Sequence, residues 1–225
     1  MLIAAPGVGK TAFALNWAAW SSALTLYVSA DTDPKLMTAQ LAAMATGQAR
    51  GLVEERLSRS RAWREAYIDA IRHKFPHLVM DFTANSRIDV VAAKAEALTE
   101  VWGETPQLIV LDTASDIEKP GSDYKAWDQT WRDIRTLTRY LNCVVLVAHH
   151  VKAGPAANGD RAPEQGDGEY KADKYAEIVL GLHRPTGNTL RVSVLKNRGG
   201  KSRFGINLHA DYEYGMIREF EREAA

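Results

Sequence analysis

The sequence predicts an α/β protein with a mainly parallel central sheet flanked by helices and a C-terminal β-hairpin. Three observations carry that prediction. Short apolar runs alternate with longer stretches of helical periodicity, the pattern of β-α units around a parallel sheet. The segment APGVGKT, Ala5 to Thr11, sits between an apolar run and an apolar helical stretch. It fits the end of the phosphate-loop pattern G-x-x-x-x-G-K-[ST], with Ala4 in place of the first glycine. Near the C-terminus, two strand-like segments flank Gly199 and Gly200, a turn signal.

The first strand, Leu2 to Ala5, feeds the glycine loop. Gly7 and Gly9 let the backbone curl so that successive N–H groups point inward, and the N-terminus of the next helix, Lys10 to Ser21, adds partial positive charge. Pro6, Gly7, Val8, Gly9, Lys10, Thr11 and Ala12 are therefore the expected nucleotide contacts. Lys10 is placed to reach the β- and γ-phosphates, and the Thr11 hydroxyl to ligate Mg²⁺. A plain glycine-rich turn before a helix is the structural alternative.

The second strand, Thr25 to Ser29, runs into Asp31 and Asp33. ATP hydrolysis needs a carboxylate near the in-line water. Asp33 stands directly before Pro34 and suits the cap of the helix Pro34 to Thr46, so the chemistry falls to Asp31. A helix is expected over Leu52 to Lys74, where Arg56, Arg59, Arg61, Arg64, Arg72 and Lys74 interleave with Glu54, Glu55, Glu65 and Asp69. That mixture reads as a solvated face. Strand Leu78 to Asp81 and helix Ile88 to Trp102 follow, then strand Leu108 to Asp112, whose final carboxylate stands where a second Mg²⁺ ligand belongs. Buried strands also end in Asp for purely structural reasons.

Residues 114 to 124 read as a loop, and Trp127 to Leu141 as a helix. Beyond the strand Val144 to Ala148, His149 and His150 are adjacent on an extended chain and point to opposite faces. One can face the γ-phosphate; the other is a packing or loop residue. Residues 152 to 171 are rich in Gly, Pro, Asn and Asp, a length that is usually functional or disordered. Strand Ile178 to Leu182 precedes the hairpin, Leu190 to Lys196 and Arg203 to Leu208. From Ile178 to Ala210 there is no Asp or Glu, whereas Arg184, Arg191, Lys196, Arg198, Lys201 and Arg203 all fall there. Either this basic hairpin faces solvent, or its tip carries a guanidinium to a neighbouring subunit's γ-phosphate.

The 225 residues suffice for one domain with a substantial core, and 46% of them are hydrophobic. No apolar run approaches the ~20 residues that span a bilayer, and no signal peptide is apparent. Lys plus Arg and Asp plus Glu number 28 each, so bulk charge favours no particular partner. The single cysteine, Cys143, lies in an apolar run and reads as a buried thiol in a reducing compartment. With one cysteine and no H-E-x-x-H spacing, a zinc site is disfavoured.

In this order the motifs resemble the C-terminal ATPase domain of DnaB-type replicative helicases, within the RecA-like P-loop NTPases, over nearly the whole chain. LYVSADTDPKLMTAQLAAMATG is similar to the segment whose catalytic Glu falls on Asp31 here. LIVLDT is similar to the Mg²⁺-binding strand, and VVLVAHHVKAG to the sensor segment, with the family's phosphate-sensing Gln on His150. RepA-like hexameric helicases often show a His-His pair there. VLKNRGGKSRFG is similar to the segment whose trans-acting Lys-x-Arg falls on Lys196 and Arg198. In such proteins the loops after the fourth and fifth strands grip single-stranded DNA. Lys119, Lys125, Lys152, Arg161 and Lys171 are the corresponding phosphate contacts.

The resemblance implies one RecA-like ATPase domain over residues 1–225, ATP and Mg²⁺ as cofactors, and single-stranded DNA and further copies of the chain as partners. The expected location is the cytoplasm, that of the bacterial host for a phage protein. The chain begins almost inside its first strand, so the family's primase-binding domain and linker helix are expected to be absent, which weakens the expectation of a hexamer. Asp31 is also shorter than the family's Glu. The leading expectation is an ATP- and Mg²⁺-dependent motor or clamp on single-stranded DNA in phage or plasmid replication. A metal-dependent DNA nuclease of exonuclease or flap type, using Asp31, Asp33, Asp112, Asp116 and a histidine, is a second reading. A slow ATP-binding loader or recombination mediator is a third.

Overall fold

The computed structural model describes residues 1–29, 32–119, 121 and 123–220. Strand β1 (Leu2–Ala4) leads through the glycine loop into helix α1 (Lys10–Trp20). Then come β2 (Thr25–Ser29), α2 (Pro34–Thr46), α3 (Arg50–Arg59), α4 (Arg61–Lys74), β3 (Leu78–Asp81), α5 (Ile88–Trp102) and β4 (Leu108–Asp112). Helix α6 (Tyr124–Tyr140), β5 (Val144–His150), β6 (Ile178–His183), β7 (Thr189–Asn197), β8 (Phe204–Asp211) and β9 (Met216–Glu219) complete the order.

Among the described residues these strands form one sheet in the order β3-β2-β4-β5-β1-β6-β7-β8-β9. From β3 to β6 every neighbouring pair is parallel. From β6 to β9 every pair is antiparallel. The expected α/β architecture is the one observed. Its strands read as continuous apolar runs because helices cover both faces, so alternation is lost.

Strand parity sorts the core. On β4, Leu108 and Val110 pack with Leu15 and Ala18 of α1 and Met37 of α2, while Ile109 and Leu111 pack with Val91 of α5 and Trp127, Trp131 and Ile134 of α6. Successive strand side chains take opposite faces, so one sheet serves two helical layers. Cys143 is buried in the second layer, and burial pushes its thiol up to about 11.

Three expectations need correction. The helix expected over Leu52 to Lys74 is two helices, because Ser60 is extended at φ −151, ψ 153. Its hydroxyl accepts from the Trp63 N–H at 3.3 Å and so caps α4, satisfying a donor that an unbroken helix would have satisfied itself. Their solvated reading stands: Arg50–Glu54 (3.1 Å), Arg59–Glu55 and Arg61–Glu65 (2.7 Å) are i,i+4 pairs. Second, α6 begins at Tyr124 rather than Trp127, with the Asp123 carboxylate accepting from the Ala126 N–H at 2.9 Å. Third, β9 was not anticipated; it pairs with β8 from Leu208 to Asp211 across a turn whose Gly215 has φ 69. The expected cap of α2 is present, with Asp33 accepting from the Lys35 N–H at 2.8 Å. Strand β5 runs on to include both histidines.

A candidate nucleotide site at the ends of β1, β2, β4 and β5

The parallel strands end together, and parity decides what they present. Tyr27 packs in the layer of α1, so Ser29, two residues on, faces the same way. On β4, Asp112 shares the face of Leu108 and Val110, and on β5, His150 shares that of Leu146. The register then sets Ser29 beside Asp112 and Ala4 beside His150. These residues converge on the mouth of the glycine loop, outside the carboxyl ends of the strands, where open α/β sheets bind ligands.

The loop has the backbone a phosphate requires. Gly7 and Gly9 have φ 73 and 113, in the region glycine alone enters freely. The N-terminus of α1 has no side-chain cap and no acidic residue in its first turn, which leaves its N–H groups for an anion. Lys10, the first residue of α1, is buried and folds back over the loop. Its Nζ donates to the carbonyls of Ala4 (3.1 Å) and Ala5 (3.3 Å) and lies 3.5 Å from His150 Nδ1. Burial lowers its pKa, and Asp112 opposes that shift. A desolvated ammonium among carbonyls is placed to gain from an incoming polyphosphate.

Asp112 is 2% exposed. One oxygen, Oδ2, accepts from the Tyr27 hydroxyl at 2.7 Å, and Oδ1 is buried with no hydrogen-bond partner among the described residues. Beside it, the Ser29 hydroxyl is also buried and has no partner among the described residues. Orphaned buried oxygens are costly unless something absent from the protein satisfies them. Burial raises the Asp112 pKa, against the pull of the Tyr27 and Thr11 hydroxyls and the Lys10 ammonium. An oxygen-rich pocket with one free carboxylate oxygen near the Thr11 hydroxyl fits a hard cation such as Mg²⁺. The Asp112–Thr113 peptide is cis.

His149 faces the other layer, fully buried against Trp127 (5.3 Å between ring centroids) and Trp131 (5.1 Å). Its Nε2–H donates to the Glu169 carbonyl at 3.2 Å, which leaves Nδ1 as a bare, buried acceptor. Burial pushes its pKa down to about 4, with His150, Lys10 and Lys119 adding to the shift. An unfolded histidine takes its proton near 6.5. Between these values the unfolded chain binds more protons, so stability falls as pH drops from about 6.5 to about 4. Relative to His149→Gln, the wild type is expected to lose about 2 kcal/mol more between pH 7 and pH 5. Urea unfolding at both pH values measures the difference; parallel losses would mean that His149 titrates normally.

The remaining expected residues that the structure describes sit elsewhere. Asp31 lies outside the described residues. Lys196 donates to the carbonyls of Asp173 (2.7 Å) and Ala176 (2.6 Å), and Arg198 pairs with Glu177 at 2.9 Å. The registers Val179↔Lys196 and Leu2↔Leu180 place Lys196 level with the start of β1, whereas the glycine loop leaves its far end. Lys119 donates to the carbonyls of Ser115 and Ile117, both at 2.7 Å, and Lys152 to that of Gly166 at 3.0 Å. Arg161 forms a bidentate pair with Asp167 (2.7 and 3.1 Å), which holds that carboxyl below its usual range. Lys125 and Lys171 are exposed.

Two residues at the site were not anticipated. Tyr27 had a faint signal, since a buried tyrosine in an aliphatic strand must find a partner for its hydroxyl. Tyr212 had none: it follows β8, donates to the Val8 carbonyl at 3.2 Å and lies under the Arg184 guanidinium (4.7 Å). A Cβ on Gly9 would stand 2.9 Å from the Tyr212 hydroxyl, so this tyrosine closes one side of the loop.

Sheet order, glycine loop, Lys10, Thr11 and Asp112 together define a RecA-like P-loop protein of the nucleotide-binding class. The chain belongs to the AAA domain family, whose model matches residues 1–156. It is 31% identical to the Gene 65 protein of Mycobacterium phage D29, over 95% of this chain and 94% of that protein. It is 30% identical to the Gene 65 protein of Mycobacterium phage L5, over 90% and 77%. Its fold is that of DnaB-like helicase ATPase domains. One solved ATPase domain matches with TM-score 0.82 at 20% identity, over 98% of this chain and 84% of that one. A DnaB-like replicative helicase solved for its interactions with primase matches with TM-score 0.82 at 20% identity; the match covers 98% of this chain and 57% of the helicase chain. The RadB recombinase matches with TM-score 0.58 at 15% identity, over 98% and 90%. Among the described residues, no helix is long and apolar enough to cross a membrane.

Proposed function

We propose that this chain is an ATP- and Mg²⁺-dependent phage motor of the helicase type, acting on single-stranded DNA. The observation that carries the reading is the pairing of an uncapped phosphate cradle with an orphaned Asp112 oxygen beside it. Amides of Gly7 to Ala12 and the Lys10 ammonium would hold the β- and γ-phosphates; Thr11 and Asp112 would hold Mg²⁺, which when bound would supply charge neutralisation at the phosphates. Asp31 orients the attacking water. His150, within 3.5 Å of the Lys10 ammonium, reports the state of the γ-phosphate to β5 and the segment beyond it. Lys196 lies level with the start of β1, at the end away from its own glycine loop, and Arg198 follows two residues on, which supports their acting on a neighbouring copy.

The nuclease reading has less support. Asp33 is engaged as a helix cap, and Asp116 accepts from the N–H (3.2 Å) and hydroxyl (2.7 Å) of Thr113. Among the described residues, no group of three or more His, Cys, Asp or Glu is arranged to hold a metal ion. The likeness to a DnaB-like replicative helicase favours the motor. The proposal predicts that oligothymidylate stimulates ATP turnover severalfold and that rising salt removes the stimulation. Turnover indifferent to DNA would point to the loader; Mg²⁺-dependent cleavage of labelled DNA without ATP would point to the nuclease.

A further inference from the structure

Nucleotide chemistry does not account for the backbone of Tyr170 and Lys171. Both have φ 52, a left-handed conformation in which a Cβ crowds the next carbonyl and which glycine adopts at less cost. Such outliers persist where the surrounding structure holds them. Here they set the Tyr170 ring flat on Trp127 of α6, with centroids 4.6 Å apart and planes 14° from parallel. Trp127 is buried, backed by Trp131 (5.6 Å) and His149 (5.3 Å). The Lys119 ammonium lies 4.5 Å from the Trp127 ring, and Lys171 is exposed next to Tyr170. Tyr170 itself remains 42% exposed.

A tyrosine stacked by one face on a fixed indole, partly exposed and next to an exposed lysine, contributes little to a core. It has what a nucleobase needs: a rigid π-surface with a cation on the adjoining residue for the neighbouring phosphate. We propose that Tyr170, backed by Trp127 and followed by the exposed Lys171, is a base-stacking platform for single-stranded nucleic acid. The inference rests on the proposed function and adds the residue that meets a base. The platform is joined to the nucleotide site through one strand end: His149 holds the Glu169 carbonyl, and the next residue, His150, meets Lys10. Movement of β5 on nucleotide exchange would therefore tilt or release the ring.

The test compares a labelled oligothymidylate with an abasic oligomer of the same length, by fluorescence anisotropy with Mg²⁺ and a non-hydrolysable ATP analogue. Wild type is expected to prefer the oligomer carrying bases. Tyr170→Ala and Tyr170→Leu should weaken that binding by about 5- to 100-fold and leave abasic binding unchanged, while Tyr170→Phe keeps the preference. Leucine still covers Trp127, so a loss confined to the base-bearing oligomer is not collapse of the segment. Equal affinity of wild type for both oligomers, unchanged base binding by Tyr170→Leu, or equal losses on both oligomers would overturn the platform and leave DNA binding intact. Wild type binding neither oligomer would overturn the platform and the DNA-acting motor together.

Discussion

Lys10→Met is expected to lower ATP turnover by about two to three orders of magnitude while leaving the fold intact. The ammonium is the one side-chain cation that the structure buries at the mouth of the glycine loop, among the described residues. It rests on the carbonyls of Ala4 and Ala5, acceptors that it can leave when a triphosphate arrives with full negative charge. Methionine preserves the length and apolar stem. It also removes a desolvated charge whose pKa burial already lowers, so thermal stability without nucleotide should hold or rise. Steady-state turnover and thermal unfolding read the two halves of the prediction. Turnover within tenfold of wild type would mean that Lys10 does not touch the transferring phosphoryl group.

Arg198→Ala is expected to lower turnover by about a thousandfold, through the site of another copy. Within its own chain Arg198 is held by Glu177, and Lys196 by the carbonyls of Asp173 and Ala176, level with the start of β1 rather than with the glycine loop. Mixing makes the prediction sharp. Lys10→Met and Arg198→Ala chains should each be nearly inactive, but a mixed assembly would contain sites with an intact Lys10 and a neighbour's intact Arg198. Recovery of turnover on mixing, absent from either variant alone, is the expected result; its absence, with both variants assembling normally, would rule out a finger acting between subunits. Arg198→Lys should not restore the rate, because an ammonium lacks the planar fork that meets two phosphate oxygens.

Both predictions start from residues visible in the sequence, and the reason is local. The glycine loop is a contiguous motif whose backbone needs glycine at two positions and whose cation directly precedes a hydroxyl. Asp112 and the His149–His150 pair end apolar runs, and a strand's end is marked by the change to polar residues. The helices over Pro34–Thr46 and Ile88–Trp102 were legible in full because Pro34 opens the first, and Gly47 and Gly103, with φ 67 and 74, follow the two helices.

The break at Ser60 was not legible, since the residues on either side are good helix formers and the serine's choice of capping over continuation depends on how α3 and α4 pack. Strand β9 is four residues long and half exposed, too short for alternation to show; it exists because β8 offers it an edge. Arg161 read as a candidate phosphate contact, and only the fold placed Asp167 against it.

Sequence alone therefore determined the chain's class, its glycine loop and the carboxylate that ends β4, because each depends on neighbours along the chain. Tertiary structure alone decided the rest. Tyr27 meets Asp112, Tyr212 meets Val8, and Tyr170 meets Trp127. Contacts of this kind arise only once the sheet has taken its order and strand parity has chosen a face for every side chain, and neither is encoded within any single stretch.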